Sequence, residues 1–501
     1  MNGDFVFACR PLWPTAAPGV RRRPGFLACG MNRGILALAF AAVFFPQCPA
    51  AAIRDLSSGT REVRLTSGPL SHDITNFGVW SPDGEWIVCD ERTESSEFTT
   101  SRRILRVHAE TGAAETLHEA AGGGSCGVVT HSPVDDRAVF IAGPDHPTPE
   151  WSYGFSRRRG VWVHAASPGE SRPLDANAYA PPFVPGALRG GSHVHVFSGD
   201  GRWVSFTYED EVLRLLEGSG IDHDANQRNV GVAVPQGPVV VNRNHPRNHD
   251  GDFFSVLVTR TVADPAPGSD EISRACEEGW VGRSGYRRGD GQWQKKALAF
   301  QGTVKSRPGG THQEVFIVDL PEDVTLAGDA PLEGTATRRP APPRGTAQRR
   351  LTFTDERPFP GLQGPRHWLR SSPDGATIAF LMKDERGIVQ LWGVSPNGGL
   401  PRQISRHPWN IDSAFSWSGD GRFIAHVMDG SVFLTEAATG DAWRLTAKTT
   451  DSDAPMPGAC VISPDGSKIA FGRRPRGTSR PQVYFVTVPQ VLSGEKTESH
   501  D

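Results

Sequence analysis

The sequence predicts an all-β fold: a seven-bladed β-propeller of four-stranded antiparallel blades, with a six-bladed ring as the alternative count. Three observations carry this. Turn formers are in excess, with 56 Gly and 41 Pro in 501 residues, against usual shares of about 7 % and 5 %. A hairpin phrase built on Ser-Pro-Asp-Gly recurs along the chain. Its best-spaced copies begin at Ser372, Ser418 and Ser463, about 45 residues apart, which is the length of one propeller blade.

The elements follow in chain order. Residues 1–52 read as an upstream segment and a secretory leader: Arg33, an apolar run at 35–45, then Ala50-Ala51-Ala52 as a small-residue cleavage site. The run is too short for a bilayer span, and no later stretch is apolar for long enough. The mature chain is therefore expected in the periplasm or secreted. The net charge is −3, and the leader carries five arginines and one aspartate, so its removal makes the chain more acidic. That balance argues against nucleic acid as a partner. Four cysteines remain, Cys89, Cys126, Cys276 and Cys460, with no CxxC pair. A structural zinc site is not expected, while one or two disulfides fit an oxidising compartment.

Residues 53–487 read as one propeller domain and 488–501 as a polar tail. Hairpins are placed at 80–84, 131–135, 197–201, 371–375, 417–421 and 462–466, with a degenerate copy at 248–251 ahead of Phe253. In each full copy Pro pre-sets φ, Asp bonds its own backbone and Gly accepts positive φ. The last blade shows only three strands, and the orphan strand at 61–65 matches the fourth-strand pattern, so 62–65 is expected to close the ring. Two Pro-, Gly- and charge-rich inserts, at about 263–294 and 321–348, interrupt the period as loops or a lid. Within the first, 269–278 reads as a short helix, capped by Ser269 or Asp270 and stopped by Gly279. Asp270, Glu271, Glu277 and Glu278 then form its solvated face. Trp80, Trp86, Trp203 and Trp417 read as core, and Trp280 and Trp293 as loop residues that either stack on a ligand or pin the insert.

The first strand of each blade lines the central channel. Five residues before the repeat serine stand Asn76, Gly127, His193, His367, Ser413 and Gly458. His193 and His367 are thus expected on one ring, with His195 on the same strand face as His193. Arg189 and Arg366 lie nearby in sequence, His245 and His249 come from the next blade, and His72 from the first. Arg189, His193, His195, Arg366 and His367 are the ligand-binding candidates, for a carboxylate or phosphate. His193, His195, His367, His245 and His249 are the metal-ligand candidates. The alternative for the same residues is hydrogen-bonded channel filling. Gly123-Gly-Ser-Cys-Gly127 matches G-x-S-x-G but enters a blade strand, without the strand–turn–helix that an esterase elbow needs. No phosphate-loop motif occurs.

The Ser-Pro-Asp-Gly hairpins resemble the WD40-like repeats of TolB propellers. The stretches at 189–198, 267–272, 278–282, 348–354 and 388–392 are similar to a YidR-type, uncharacterised bacterial family of TolB-like propellers. The resemblance implies a binding scaffold for a protein or an envelope polysaccharide, and the chain is expected to act as a monomer. A more distant resemblance is to oligogalacturonate lyase propellers, through Arg189, His193 and His195, with Gly190 where that family has Gln. It implies a divalent, manganese-like metal and a lyase or hydrolase acting on acidic sugars at the channel mouth. There Arg189 or Arg366 would bind the carboxylate.

Overall fold

A computed structural model describes residues 51–450, 452–458 and 460–493. The segment expected to be a leader, up to residue 50, and the end of the tail lie outside the described residues. Seven four-stranded antiparallel blades are present. From the inner strand outward, blade 1 is Ser71–Asp73, Trp86–Arg92, Ser101–His108 and Ala114–Glu119. Its inner edge continues through the Trp80–Ile87 bridge. Blade 2 is Cys126–His131, Arg137–Ala142, Arg159–His164 and Arg172–Pro173. Blade 3 is Gly190–Phe197, Val204–Asp210, Asn229–Val234 and Phe254–Leu257. Blade 4 is Ala275–Trp280, Ala297–Lys305, Thr311–Asp319 and Ala347–Arg350. Blade 5 begins at Arg370–Ser371, blade 6 at Ser416–Trp417 and blade 7 at Val461–Ile462.

The hairpin chemistry repeats atom for atom. In blade 1, Ser81 Oγ donates to Asp83 Oδ1 (2.5 Å) and accepts from Trp86 N (2.9 Å). Ser198, Ser372, Ser418 and Ser463 make the same pair of bonds in blades 3, 5, 6 and 7. The turn is closed within five residues of sequence, which is why it is legible without tertiary context.

Ring closure follows the expectation. Glu62, Val63 and Arg64 pair antiparallel with Val486, Phe485 and Tyr484, making the fourth strand of blade 7. An addition to the expected scheme is Ile53–Asp55, which pairs parallel to Ala442–Arg444 as a fifth strand of blade 6. The core lies between the sheets: one buried apolar cluster fills each junction from blades 1 and 2 round to blades 7 and 1. Each fully buried Val, Leu, Ile or Phe contributes about 1.5–3 kcal/mol.

Three expectations are corrected. The degenerate hairpin at 248–251 does not open a blade. It leads into Phe254–Leu257, the outer strand of blade 3, which pairs with Gly231–Val234. Blade 4 instead begins at Ala275–Trp280, inside the segment expected to be a helix. Strand pairing with Leu298–Gly302 overrides the local helical signal there, and Glu277 and Glu278 are buried rather than solvated. The connection that follows, 281–296, carries a two-stranded ribbon, Tyr286–Arg287 against Trp293–Gln294. Finally, Cys89, Cys126, Cys276 and Cys460 are all free and buried, so none of them forms the disulfide that an oxidising compartment would allow. Among the described residues, no helix is long and apolar enough to cross a membrane.

Candidate functional site

All inner strands run in one direction, so the molecule has a hairpin face, where the Ser-Asp-Gly turns lie, and an opposite loop face, where inner strands begin. On the loop face the inner strands of blades 2, 3 and 4 share an irregularity. Each carries a β-bulge, with Val128, Val194 and Glu277 at φ 57°, 55° and 52°. Positive φ is unfavourable for a β-branched residue, so the surrounding packing must enforce it.

The bulge decides where the blade 3 histidines point. It breaks the alternation between His193 and Val196, so His193 and His195 do not share the simple strand face that the sequence implied. His195 is fully buried, with Nε2 3.1 Å from Ser192 Oγ and 3.8 Å from Asp175 Oδ2. Asp175 also accepts from Ser192 Oγ (2.5 Å), Ser255 Oγ (2.8 Å) and Gly160 N (3.1 Å). This is a polar staple joining blades 2 and 3. Ser192 donates directly to Asp175, so the trio lacks the order of a nucleophile triad.

His367 is also structural. Nδ1 donates to Pro365 O (2.9 Å), and Nε2 accepts from Leu381 N (3.1 Å). Ser413 does the same work in blade 6, its Oγ accepting from Val427 N (2.8 Å). In blades 5 and 6 the five-back position therefore ties the inner strand to the second strand of its blade. Burial pushes His367 down to about 4, so it stays neutral. His245 packs against the Trp151 and Tyr179 rings, and His249 Nδ1 donates to Arg247 O (3.2 Å). His72 Nδ1 pairs with Gln482 Oε1 (3.0 Å), joining blade 1 to blade 7.

Arg189 does not reach the channel. It is 1 % exposed, and its Nε donates to Asp210 Oδ2 (2.8 Å), Nη2 to Arg338 O (2.8 Å) and Nη1 to Thr335 O. It anchors the 320–346 loop to blade 3. Gly190 and Gly191 are fixed by close approach: a Cβ would strike Glu209 O at the first and Phe155 O at the second. A larger residue at Gly190, such as Gln, has no room.

His193 and Arg366 remain, and the structure surrounds them with residues that sequence reasoning missed. Burial, then the Arg158, Arg228 and Arg366 guanidiniums, push His193 well below the ordinary histidine range. Its ring is 4 % exposed and Nδ1 has no partner. Arg366 Nε donates to Glu277 Oε1 (2.9 Å), while Glu277 Oε2 has no partner. Burial pushes Glu277 up, but Arg366, Cys276 and Arg274 outweigh it and hold the carboxyl below its ordinary range. Arg228 Nε donates to Glu209 Oε1 (2.8 Å). Arg158 Nε donates to Phe155 O (3.2 Å) and its Nη2 is buried without a partner. Exposed Arg274 and Arg366 flank a cavity of about 350 Å³ that Glu277, Gln301 and Gln313 also line. The mouth thus gathers Arg158, Arg228, Arg274 and Arg366 against the carboxylates Glu209 and Glu277. No repeat signature marks them: Arg158 and Arg228 end long connections between the second and third strands of blades 2 and 3.

The five histidines proposed as metal ligands are not brought together. Among the described residues, His312, Glu314 and Asp355 are the group whose ligand atoms lie within 4.8 Å of one another. His312 and Glu314 belong to the third strand of blade 4 and Asp355 to the loop after its fourth strand. Arg350 Nη2 already binds Glu314 Oε1 (3.0 Å) and Asp355 Oδ2 (3.1 Å), and Thr354 N and Oγ1 donate to the same Glu314 oxygen. Arg350 already neutralises both carboxylates and leaves only Asp355 Oδ1 unpartnered, so this cluster fits a structural network better than a metal.

Comparison with known proteins places this geometry in a family. A family model described as a protein of unknown function (DUF3748) matches residues 125–249, which span blade 2 and most of blade 3. The chain is 46 % identical over 412 residues to the Escherichia coli K12 protein named uncharacterized protein YidR, covering 81 % of this chain and 94 % of that one. The chain belongs to the YidR family. Among solved structures it is similar to an oligogalacturonate lyase in complex with manganese, with a TM-score of 0.52, 13 % identity, and coverage of 87 % of this chain and 96 % of the other. That likeness shows the propeller fold. A looser overlay is with TolB from Acinetobacter baumannii, with a TM-score of 0.34, 12 % identity and 81 % of each chain covered.

Proposed function

We propose that this YidR-family propeller is an exported binding protein whose loop-face mouth holds an acidic ligand, a carboxylate-bearing envelope saccharide. The observation that carries the reading is the charge imbalance at the mouth. Three guanidiniums, Arg158, Arg228 and Arg366, bear on a neutral histidine, and Arg274 joins Arg366 on Glu277, in a molecule whose net charge is negative. Arg guanidiniums suit planar, bidentate recognition of carboxylates. Arg274 and Arg366 are the exposed contacts, and Arg158 and Arg228 supply field from behind.

The test is titration of the mature protein with oligogalacturonates and with uncharged maltooligosaccharides, at low and high salt. The acidic oligomer should bind, lose affinity with salt, and lose about tenfold or more in an Arg274→Gln/Arg366→Gln variant. Equal binding of the neutral oligomer, or no effect of the double substitution, would refute the reading.

A second reading adds chemistry at the same mouth: His193 takes the C5 proton next to the uronate carboxylate, the C4–O glycosidic bond breaks as the C4–C5 double bond forms, and the departing sugar oxygen takes up that proton. Its support is the neutral ring with an unpartnered Nδ1 beside guanidiniums that would stabilise the developing enolate. It requires an unsaturated uronate, seen by ultraviolet absorbance, that His193→Gln abolishes. Because the predicted histidine ligands do not converge, manganese is expected to leave the melting temperature unchanged.

A further inference from the structure

The channel on the hairpin side is a different environment from the loop-face mouth. It forms a cavity of about 500 Å³ lined by residues of all seven blades, a size suited to a small-molecule site of roughly 300–1,000 Å³. Trp80, Trp280 and Trp417 close its wall. Their indole N–H groups donate to Val461 O (2.9 Å), Val196 O (3.0 Å) and Arg370 O (3.0 Å) on neighbouring inner strands, so the rings are fixed and their polar atoms are satisfied. The cavity opens beside Phe77 and Val134, which are 37 % and 53 % exposed.

One buried charge stands in this wall, with a second, exposed one at the rim. Two residues before each turn position, the inner strands present Val79, Thr130, Val196, Gly279, Arg370, Ser416 and Val461. Thr130 Oγ1 is used on His195 O (2.7 Å) and Ser416 Oγ on Ile462 N (3.0 Å). Arg370 is 4 % exposed and lines the cavity. Its Nη2 donates to Asn76 Oδ1, and its guanidinium lies 4.4 Å over the Phe77 ring. No carboxylate of the described residues pairs with it. The carboxyl that acts on it through space, Glu278, is fully buried, with Oε2 bonded by Thr207 Oγ1 (2.8 Å) and Oε1 unpartnered, and is pushed up to about 7 by burial. Burial likewise brings Arg370 down to about 9, still protonated at neutral pH. A buried guanidinium with no carboxylate in direct contact is costly. A ligand that brings the counter-charge removes that cost.

We infer that the hairpin-side channel is a binding site for a small monoanion with an apolar body, its carboxylate on Arg370 and its body against the tryptophan and proline wall. The site is independent of the acidic-saccharide reading. It uses the opposite end of the channel and selects an apolar rather than a hydroxylated ligand. Exposed Arg283, which lines the same cavity at its rim, adds attraction for the anion on entry.

The experiment titrates the folded mature chain with 2-naphthoate and with the uncharged 2-naphthalenemethanol, read by quenching of the cavity tryptophans. Naphthoate should saturate one site and bind more tightly than the alcohol. Arg370→Gln should weaken naphthoate about tenfold or more and leave the alcohol unchanged. Val134→Asp, an exposed rim substitution that leaves Arg370 in place, should also weaken naphthoate alone, and it serves if Arg370→Gln does not fold. Arg274→Gln/Arg366→Gln should leave naphthoate binding intact, which separates this site from the loop-face mouth. Equal affinity for the two probes, no saturation, or naphthoate binding that survives Arg370→Gln or Val134→Asp in a folded protein would overturn the inference.

Discussion

At His367 both ring nitrogens work inside the blade, whereas at His193, the equivalent position in blade 3, Nδ1 has no partner and guanidiniums crowd the ring. Equivalence of position in a repeat therefore does not carry equivalence of role. Replacing His367 by Ala should cost about 1–3 kcal/mol, the usual penalty for a buried N–H left without its acceptor, here Leu381 N. The measurement is equilibrium unfolding. Buried histidines also set an acid limit. Burial holds His249, His367 and His407 at about 4 and His426 at about 3, against about 6.5 unfolded. Their folded values are depressed, so the unfolded chain binds more protons below pH 6.5. Stability is full above that pH and falls as pH drops toward 4. Each such histidine should remove about 2 kcal/mol between pH 6.5 and 5. A melting temperature that is flat across that window would contradict the buried neutral rings.

The repeat turn is the element that the sequence specifies most fully. In blade 5, Ser372 Oγ donates to Asp374 Oδ1 (2.5 Å), and Asp374 Oδ1 also accepts from Ala376 N (3.0 Å). These bonds hold the Asp374 carboxyl below its ordinary range. Its contribution is present above about pH 4 and is lost as pH falls through the lower folded value. Asp374→Ala should cost about 1 kcal/mol, in line with other side-chain caps on backbone N–H groups, and should lessen the drop in stability below pH 4. The bulged inner strands of blades 2, 3 and 4 show the opposite case. Nothing local in Val128, Val194 or Glu277 asks for positive φ. The helical signal at 269–278 lost because strand pairing to 298–302 and burial of Glu278 depend on residues far along the chain.

For the whole molecule, closure depends on three residues near the start of the described chain. Glu62–Arg64 completes blade 7, and Val63 packs on the cluster shared by blades 7 and 1. Val63→Pro removes a ladder N–H and should lower stability by about 2–3 kcal/mol. Limited proteolysis should then cut first between blades 7 and 1. If the variant melts and is cleaved like the parent, the strand does not act as the clasp. Charge is also organised at this scale. The chain is net negative, yet the loop-face mouth is locally basic, because connections from blades 2 and 3 and the inner strands of blades 4 and 5 deliver arginines to one point.

The sequence alone determined the propeller class, five of the seven turns in atomic detail, and the strand that closes the ring. The reason is physical: Ser, Asp and Gly satisfy one another within five residues, and an orphan strand must find an edge. It located blade 4 wrongly, since that blade's turn is replaced by a ribbon-bearing connection with no Ser-Asp-Gly signature. It named His193 and Arg366 at the mouth, but it also named Arg189, His195 and His367, which the fold uses to hold itself together. Only the tertiary structure decided between these fates. A one-residue bulge redirects a side chain, and the charges that tune His193 and isolate Arg370 come from blades far apart in sequence.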